Sequence, residues 1–291
     1  MIHIQTYEPQ SGFWIIQMDK MTTLDKILDT HALLYSLPLD EYFAHPGINS
    51  SRIKLMLKTP MDFKEDDSNE ETTSKVLGSA IHTLLLEPEE FDKRYAVYNK
   101  RKAGKEYLDF KKANAGKVFL DKKQVACIER LREKLEQNVH LRFILASGKS
   151  EVTGIIEDKD TGLVRKARAD KLTKNTIWDV KTTAKGMSDG ELYKEIKKYK
   201  YDLSAAHYMA VFNGCLDNQI KNFGWIFINT KPNVMHIRLL LCPESLLNDA
   251  IFEYENVIKD LVYCMQNDKW EGYSAEIREL EIPEWATKRR G

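Results

Sequence analysis

Near residue 150 the chain changes from helical spacing to two-residue alternation, and this change constrains the fold more than any other feature. The segments EVTGIIE (151–157) and LVRKARAD (163–170) flank the turn sequence DKDTG, a pattern that reads as an antiparallel hairpin. A third short strand is expected over Thr176–Lys181, after a turn at Lys174–Asn175. Helices are expected around Ser188–Lys198 and Leu203–Phe212, strands over Phe223–Asn229 and Val234–Leu240, and a long helix from Glu244 to about Gln266.

Upstream of the hairpin the spacing is helical. Val76, Leu77, Ala80, Ile81, Leu84 and Leu85 recur on one side of a helix over Ser74–Leu86, and Pro88 begins a new piece. Residues 121–145 form one long helical pattern broken near Ser147–Gly148. Thr22–Ser36 also reads as helix, and Ser50 or Ser51 as the cap of a short helix over Arg52–Leu57 that stops before Pro60. Helices, a hairpin-led sheet, helices and sheet again define one α/β core with a helical N-terminal portion.

Composition excludes some classes of function. The four cysteines, Cys127, Cys215, Cys242 and Cys264, form no CxxC pair or clustered triplet, which argues against a zinc knuckle or an iron–sulfur cluster. There is no apolar run long enough for a membrane-spanning helix, no signal-like start and no GxxxxGK[ST] loop. The expectation is a cytoplasmic protein without a membrane partner or built-in motor. Lysine plus arginine and aspartate plus glutamate number 44 each, but their distribution is uneven. Residues 61–92 carry ten acids against two lysines, and residues 93–149 carry sixteen basic residues against six acids. Such a basic block suits a phosphate-rich partner, or a solvated helical arm. Its aromatics, Tyr95, Tyr98, Tyr107, Phe110 and Phe119, suit base stacking or core anchoring equally.

The chemistry concentrates in RADKL (168–172) and IWDVKTT (177–183). On a strand Asp179 and Lys181 share a face, while Trp178 and Val180 turn to the other. Asp170 ends the neighbouring strand and can approach Asp179; two carboxylates that close repel unless a cation lies between them. Hard oxygen ligands favour Mg²⁺ or Mn²⁺. Lys181 would then orient a water or neutralise charge on a phosphoryl group. The plain alternative is a pair of solvated strand-end acids beside a lysine. Glu151 could add a third carboxylate or be an ordinary exposed acid. His82 lies in an otherwise apolar helix, where a satisfied core histidine is the common outcome. Gly78, one turn earlier, costs helix stability and points to close approach by the sheet or a ligand.

Five ordered blocks carry a resemblance: GSAIHTLLLEPEEF (78–91), EVTG (151–154), RKARAD (165–170), WDVKTT (178–183) and YDLSAAHY (201–208). Together they resemble the nuclease domain of phage-type exodeoxyribonuclease VIII (RecE-like), in the PD-(D/E)xK nuclease superfamily with lambda exonuclease. The likeness covers roughly residues 38–287, leaving residues 1–37 as an extension of unknown role and 288–291 as a basic tail.

The resemblance implies a PD-(D/E)xK restriction-endonuclease-like core, with a central mixed sheet flanked by helices. It implies a Mg²⁺-dependent 5′→3′ exonuclease on linear double-stranded DNA ends, with Mn²⁺ as a substitute and two ions per site. The product would be 5′-mononucleotides and a 3′ single-stranded tail for a single-strand annealing recombinase. By the same likeness His82, Glu151, Asp170, Asp179 and the Val180 carbonyl surround the metals, Lys181 is the catalytic lysine and Tyr208 belongs to the site. Ser204 stands where the family's glutamine falls. A homo-oligomeric ring, with a tetramer favoured, is implied as well. Another superfamily nuclease, such as a structure-specific endonuclease, and a non-catalytic DNA-binding module are the rival readings.

Overall fold

The computed structural model describes residues 14–17, 32–35, 37–65, 73–98, 103–216, 220–231 and 235–282. In chain order the elements are β1 (Trp14–Gln17), β2 (Ala32–Tyr35), α1 (Leu39–Ala44), α2 (Ser50–Met56), α3 (Pro60–Glu65), α4 (Thr73–Leu86) and α5 (Pro88–Arg94). Next come β3 (Tyr95–Val97), α6 (Lys105–Ala113), β4 (Val118–Leu120), α7 (Lys122–Gln137), α8 (Val139–Ala146), β5 (Lys149–Glu157), β6 (Val164–Leu172) and β7 (Thr176–Thr183). The last are α9 (Asp189–Tyr199), α10 (Tyr201–Cys215), β8 (Asn222–Asn229), β9 (Ile237–Leu241) and α11 (Glu244–Asn267). Seven strands form one sheet in the order β1-β2-β5-β6-β7-β8-β9, and β3 and β4 form a separate parallel pair. The large sheet is mixed: β1–β2 and β7–β8 run parallel and the other neighbours antiparallel.

The hairpin of β5 and β6 is fixed by its turn. The Asp158 carbonyl accepts from Gly162 N–H at 2.7 Å, and Asp158 N–H donates to the Leu163 carbonyl at 3.0 Å. Gly162 has φ +70, a left-handed conformation that a side chain would strain. Two apolar layers then cover the sheet. On one side Ile177, Phe223, Trp225 and Phe227 pack with Leu192 and Ile196 of α9 and Phe212 of α10. On the other, Val180, Ile226 and Ile228 pack with Ile81 and Leu84 of α4, Leu131 of α7 and Leu141 of α8. A third cluster joins Ile53 and Met56 of α2 to Leu203 of α10 and Tyr254 and Leu261 of α11. Trp225, Phe212 and Phe227 are among the largest fully buried side chains, and burying one such side chain contributes about 1.5–3 kcal/mol.

Several sequence expectations need correction. The helix expected over Thr22–Ser36 is a strand where it is described: Ala32–Tyr35 pairs antiparallel with β5 and parallel with β1, filling what would otherwise be an open sheet edge. The remainder of that span lies outside the described residues. The cap of α2 is Asn49, whose side chain accepts from Arg52 N–H at 3.0 Å, and not Ser50 or Ser51. The single helical pattern over 121–145 is two helices. Asn138 ends α7, and its side chain caps α8 through Leu141 N–H at 2.9 Å. The strand expected from Val234 begins at Ile237.

The second half of the basic block, α7 and α8, is packed into the core and is not a solvated arm, whereas α6 buries none of its residues. Val125, Cys127, Ile128 and Leu131 of α7 are buried, and an Asp121–Gln124 capping box starts that helix. Its aromatics pack on one another, with Tyr98 and Phe110 at 4.8 Å and Phe110 and Phe119 at 5.7 Å between ring centres. Lys100, Arg101 and Lys102, much of the acidic run over 66–72, and the 288–291 tail lie outside the described residues. Among the described residues no helix is long and apolar enough to cross a membrane.

Candidate active site

The site lies where the sheet comes apart. β6 and β7 share only two paired positions, Lys171 with Trp178 and Leu172 with Ile177, and then diverge. The Asp170 carboxylate enters the gap and accepts from Val180 N–H at 2.6 Å, satisfying a strand donor that has lost its ladder partner. The β5–β6 ladder is interrupted at the same level. Ser150 pairs with Lys171 and Val152 with Ala169, and the Glu151–Asp170 position between them is skipped. Glu151 has φ +53, uncommon for a residue with a side chain. Ala167, Ala169 and Leu172 all enter the same core cluster, so strict alternation fails between Ala169 and Leu172. Both carboxylates leave the pleat at this interruption.

His82, Glu151 and Asp170 come together here, offering one ligand atom each, all within 4.8 Å of one another. His82 arrives from α4, its Nδ1 3.6 Å from Asp170 Oδ2, and it also hydrogen-bonds the Val180 backbone. Burial lowers its pKa, with Lys181 adding to the effect, so the imidazole is held neutral as a ligand requires. Burial and then the Asp179 charge push Asp170 up to about 7. Glu151 is raised by burial and by Asp170, against the opposing pull of Arg168. Arg168 Nε donates to Glu151 Oε2 at 2.5 Å, and its guanidinium also donates to the Leu37 carbonyl.

Asp179 stands beside this triad and not within it. Its Oδ2 is 2.6 Å from Lys181 Nζ but meets no donor at a hydrogen-bonding angle, although it is buried. Asp170 is 9% exposed and Asp179 4%, so neither is a solvated strand-end acid. Burial opposes the Lys181 charge, but Asp179 and Asp170 outweigh it and raise its pKa. Tyr208, on α10, lies close enough to feel Asp179, Asp170 and Glu151; burial first, then those acids, raise its pKa, so it stays a neutral hydroxyl. The Ser204 hydroxyl points back into its own helix, donating to the Lys200 carbonyl at 3.3 Å. Gly78 is not forced by packing: a Cβ there would meet only Thr182 Oγ1, at 3.7 Å.

One imidazole and two carboxylates on neighbouring elements, with a buried acid oxygen lacking an aligned donor, form a donor set that fits a hard divalent cation. The raised Asp170 and Glu151 pKa values have the same physical origin, burial first and then the charge of a neighbouring acid, Asp179 for Asp170 and Asp170 for Glu151. Sequence reasoning missed Arg168, which braces Glu151. Lys166, Arg168 and Asp170 alternate on one strand, and three charges at that spacing mark a face unfit for the apolar core.

A mixed sheet splayed at Asp170, with an Asp-x-Lys strand beside it and a His/Glu/Asp triad at the split, defines a PD-(D/E)xK-like domain of the nuclease superfamily. The chain belongs to the family described as a PDDEXK-like domain of unknown function (DUF3799), which matches residues 49–281. Among solved structures it is similar to a "putative exonuclease" from Eubacterium rectale, at 16% identity and TM-score 0.59, over 85% of this chain and 96% of that one. At that identity the likeness shows the fold alone. Weaker similarities, to SSO0001 (12% identity, TM-score 0.27, 77% of this chain and 88% of that one) and to Scheffersomyces stipitis Rai1 (11%, 0.26, 84% and 78%), carry no argument. Among curated proteins nothing matches.

Proposed function

We propose that the protein is a Mg²⁺-dependent 5′→3′ exonuclease acting on linear double-stranded DNA ends. The observation that carries this reading is the convergence of His82, Glu151 and Asp170 within 4.8 Å beside the Asp179–Lys181 ion pair. The resemblance of the sequence blocks to the exodeoxyribonuclease VIII type supports an exonuclease and its 5′→3′ direction, and the Eubacterium rectale structure is described as a putative exonuclease.

In this reading His82, Glu151, Asp170, Asp179 and the Val180 carbonyl hold the metal. Mg²⁺, or Mn²⁺ in its place and two ions on the family resemblance, supplies Lewis acidity to phosphodiester hydrolysis. Lys181, kept charged by Asp179 and Asp170, faces the phosphoryl oxygens and offsets the negative charge that grows there. Asp179 fixes where that ammonium stands. Arg168 holds the Glu151 carboxylate in orientation, and Tyr208 offers a neutral O–H donor beside the cluster. A water oxygen forms the new bond to phosphorus and the P–O3′ bond breaks. The departing oxygen takes up a proton, so the released mononucleotide ends in a 3′-hydroxyl and the shortened strand keeps a 5′-phosphate. The remaining 3′ tail suits a single-strand annealing recombinase, and a ring, with a tetramer favoured, would retain the duplex between steps.

The test is digestion of end-labelled linear duplex, with covalently closed circular duplex as control, in Mg²⁺ and in chelator. Mononucleotides released from 5′ ends of the linear substrate only, and only with metal, are expected. Cutting of the closed circle would establish the endonuclease instead, and metal-independent binding without product a non-catalytic DNA-binding module.

A further inference from the structure

Lys54 lies on α2, in a position set by the buried neighbours Ile53 and Met56, which pack against α10 and α11. Its ammonium donates to the Tyr199 carbonyl at 2.9 Å and sits 5.5 Å from the centre of the Tyr201 ring. The Lys181 ammonium is 4.9 Å from the centre of that same ring. The two cations, from elements far apart in sequence, therefore lie within about 10 Å of one another, each against the same aromatic ring.

Lys54 has no acid of its own among the described residues. The two carboxylates that act on it are already engaged, Asp179 by Lys181 and Asp202 by Lys197, each at 2.6 Å. Burial, with Lys181 adding to it, brings the Lys54 pKa down to about 8. A half-buried ammonium near a second cation is costly, and capping one carbonyl does not require a charge, since an amide N–H serves as well. An anion arriving at the Lys54 ammonium offsets that cost. Lysine binds phosphate as a point charge with three donors, and the Tyr199 carbonyl uses one of them.

We propose that Lys54 is a second cationic contact of the active site, receiving an oxygen of a strand phosphate that adjoins the scissile one, with the Tyr201 ring as the contact that Lys54 and Lys181 share. This rests on the nuclease reading and adds to it a substrate contact outside the metal cluster.

The test uses the full chain and an end-labelled duplex. Binding is measured by fluorescence anisotropy in Ca²⁺ over a salt series, and cleavage by single turnover in Mg²⁺. The Lys54→Gln variant keeps a donor for the Tyr199 carbonyl and removes the charge. It is expected to bind at least about tenfold more weakly at low salt, with a log–log salt slope shallower by about one. Lys54→Arg should keep the wild-type slope. Tyr201→Phe, which keeps the ring, should bind like wild type, and Tyr201→Leu should weaken binding as Lys54→Gln does. A folded Lys54→Gln protein with wild-type affinity and slope, from an active wild type, overturns this inference alone. A wild type that neither binds nor cuts duplex overturns the nuclease reading and this inference together. If Lys54→Gln does not fold, Lys54→Arg and the Tyr201 pair decide, and equal binding by Tyr201→Phe and Tyr201→Leu counts against the proposal.

Discussion

His207 offers the clearest quantitative test of how this chain is held together. It is fully buried on α10, with Nε2 2.9 Å from the Lys166 carbonyl and Nδ1 3.3 Å from the Tyr254 hydroxyl. The carbonyl can only accept, so Nε2 carries the proton and Nδ1 accepts from Tyr254. Burial brings the pKa down from 6.5 to about 4. Folding therefore favours the neutral ring, and the unfolded chain binds a proton first as pH falls. The stabilisation is fully present above the unfolded value of 6.5 and is lost as pH drops towards the folded value of about 4. A gap of that size corresponds to about 3 kcal/mol in the limit, of which about 2 kcal/mol is lost between about pH 7 and about pH 4.5.

Asp170 and Glu151 work in the opposite sense. Their folded pKa values are raised, so their protonation increases stability as pH falls. The wild-type profile alone mixes these contributions, and a variant separates them. His207→Gln retains an N–H donor for the Lys166 carbonyl and removes the titration while leaving both acids in place. Urea unfolding of the two proteins, followed by circular dichroism across this pH range, gives two curves of free energy against pH. Their difference should narrow by about 2 kcal/mol on acidification, because only wild type pays for charging a buried imidazole. Parallel curves would refute the reasoning and show that His207 is already solvated in the folded protein.

Lys181→Ala should lower single-turnover cleavage by about 10²-fold or more, the scale for losing one transition-state contact, while duplex affinity in Ca²⁺ changes far less; cleavage within twofold of wild type would defeat the role given to Lys181. His82→Ala should weaken Mn²⁺ binding, followed by calorimetry, by at least about tenfold. Its melting temperature should shift little, since the side chain is 31% exposed, and a clear fall in melting with metal affinity unchanged would return His82 to the core. Gly78→Ala should stabilise α4 by about 0.5–1 kcal/mol, because the added Cβ makes only an ordinary contact with Thr182; destabilisation in urea would show that this space is not open.

The hairpin, the Asp-x-Lys strand and the helix bearing His82 were legible because each depends on a local period or a short turn. The Asp179–Lys181 pairing followed from alternation along one strand. The failures came where a partner distant in sequence decides the conformation. ALLY (32–35) is a short apolar run that suits helix or strand, and only the edge of β5 selects the strand. Asn138 sits within a continuous helical pattern, and its side-chain cap divides that pattern in two. The burial of Asp170 and Asp179 could not be read from residue types, since it arises from the parting of β6 and β7 and from α4 lying over the gap. The left-handed Glu151 backbone has no glycine or asparagine to signal it.

The turn at Asp158–Gly162 acts as a ruler for the metal triad. It lies about 24 Å along the strand from Glu151, seven residues at strand rise, yet together with the buried faces of the two strands it counts off which residue of β6 stands opposite that acid. Pairing in a hairpin is quantised, so an error in loop length is not absorbed gradually but carried undiminished to the far end. Adding or removing one residue at the tip would offset Asp170 from Glu151 by a whole step and leave the carboxylates out of phase, even if most of the sheet re-formed. The most exposed part of the hairpin is therefore where a length change should be tolerated least, while substitutions that keep its length, such as Lys159→Ala, should pass almost unnoticed.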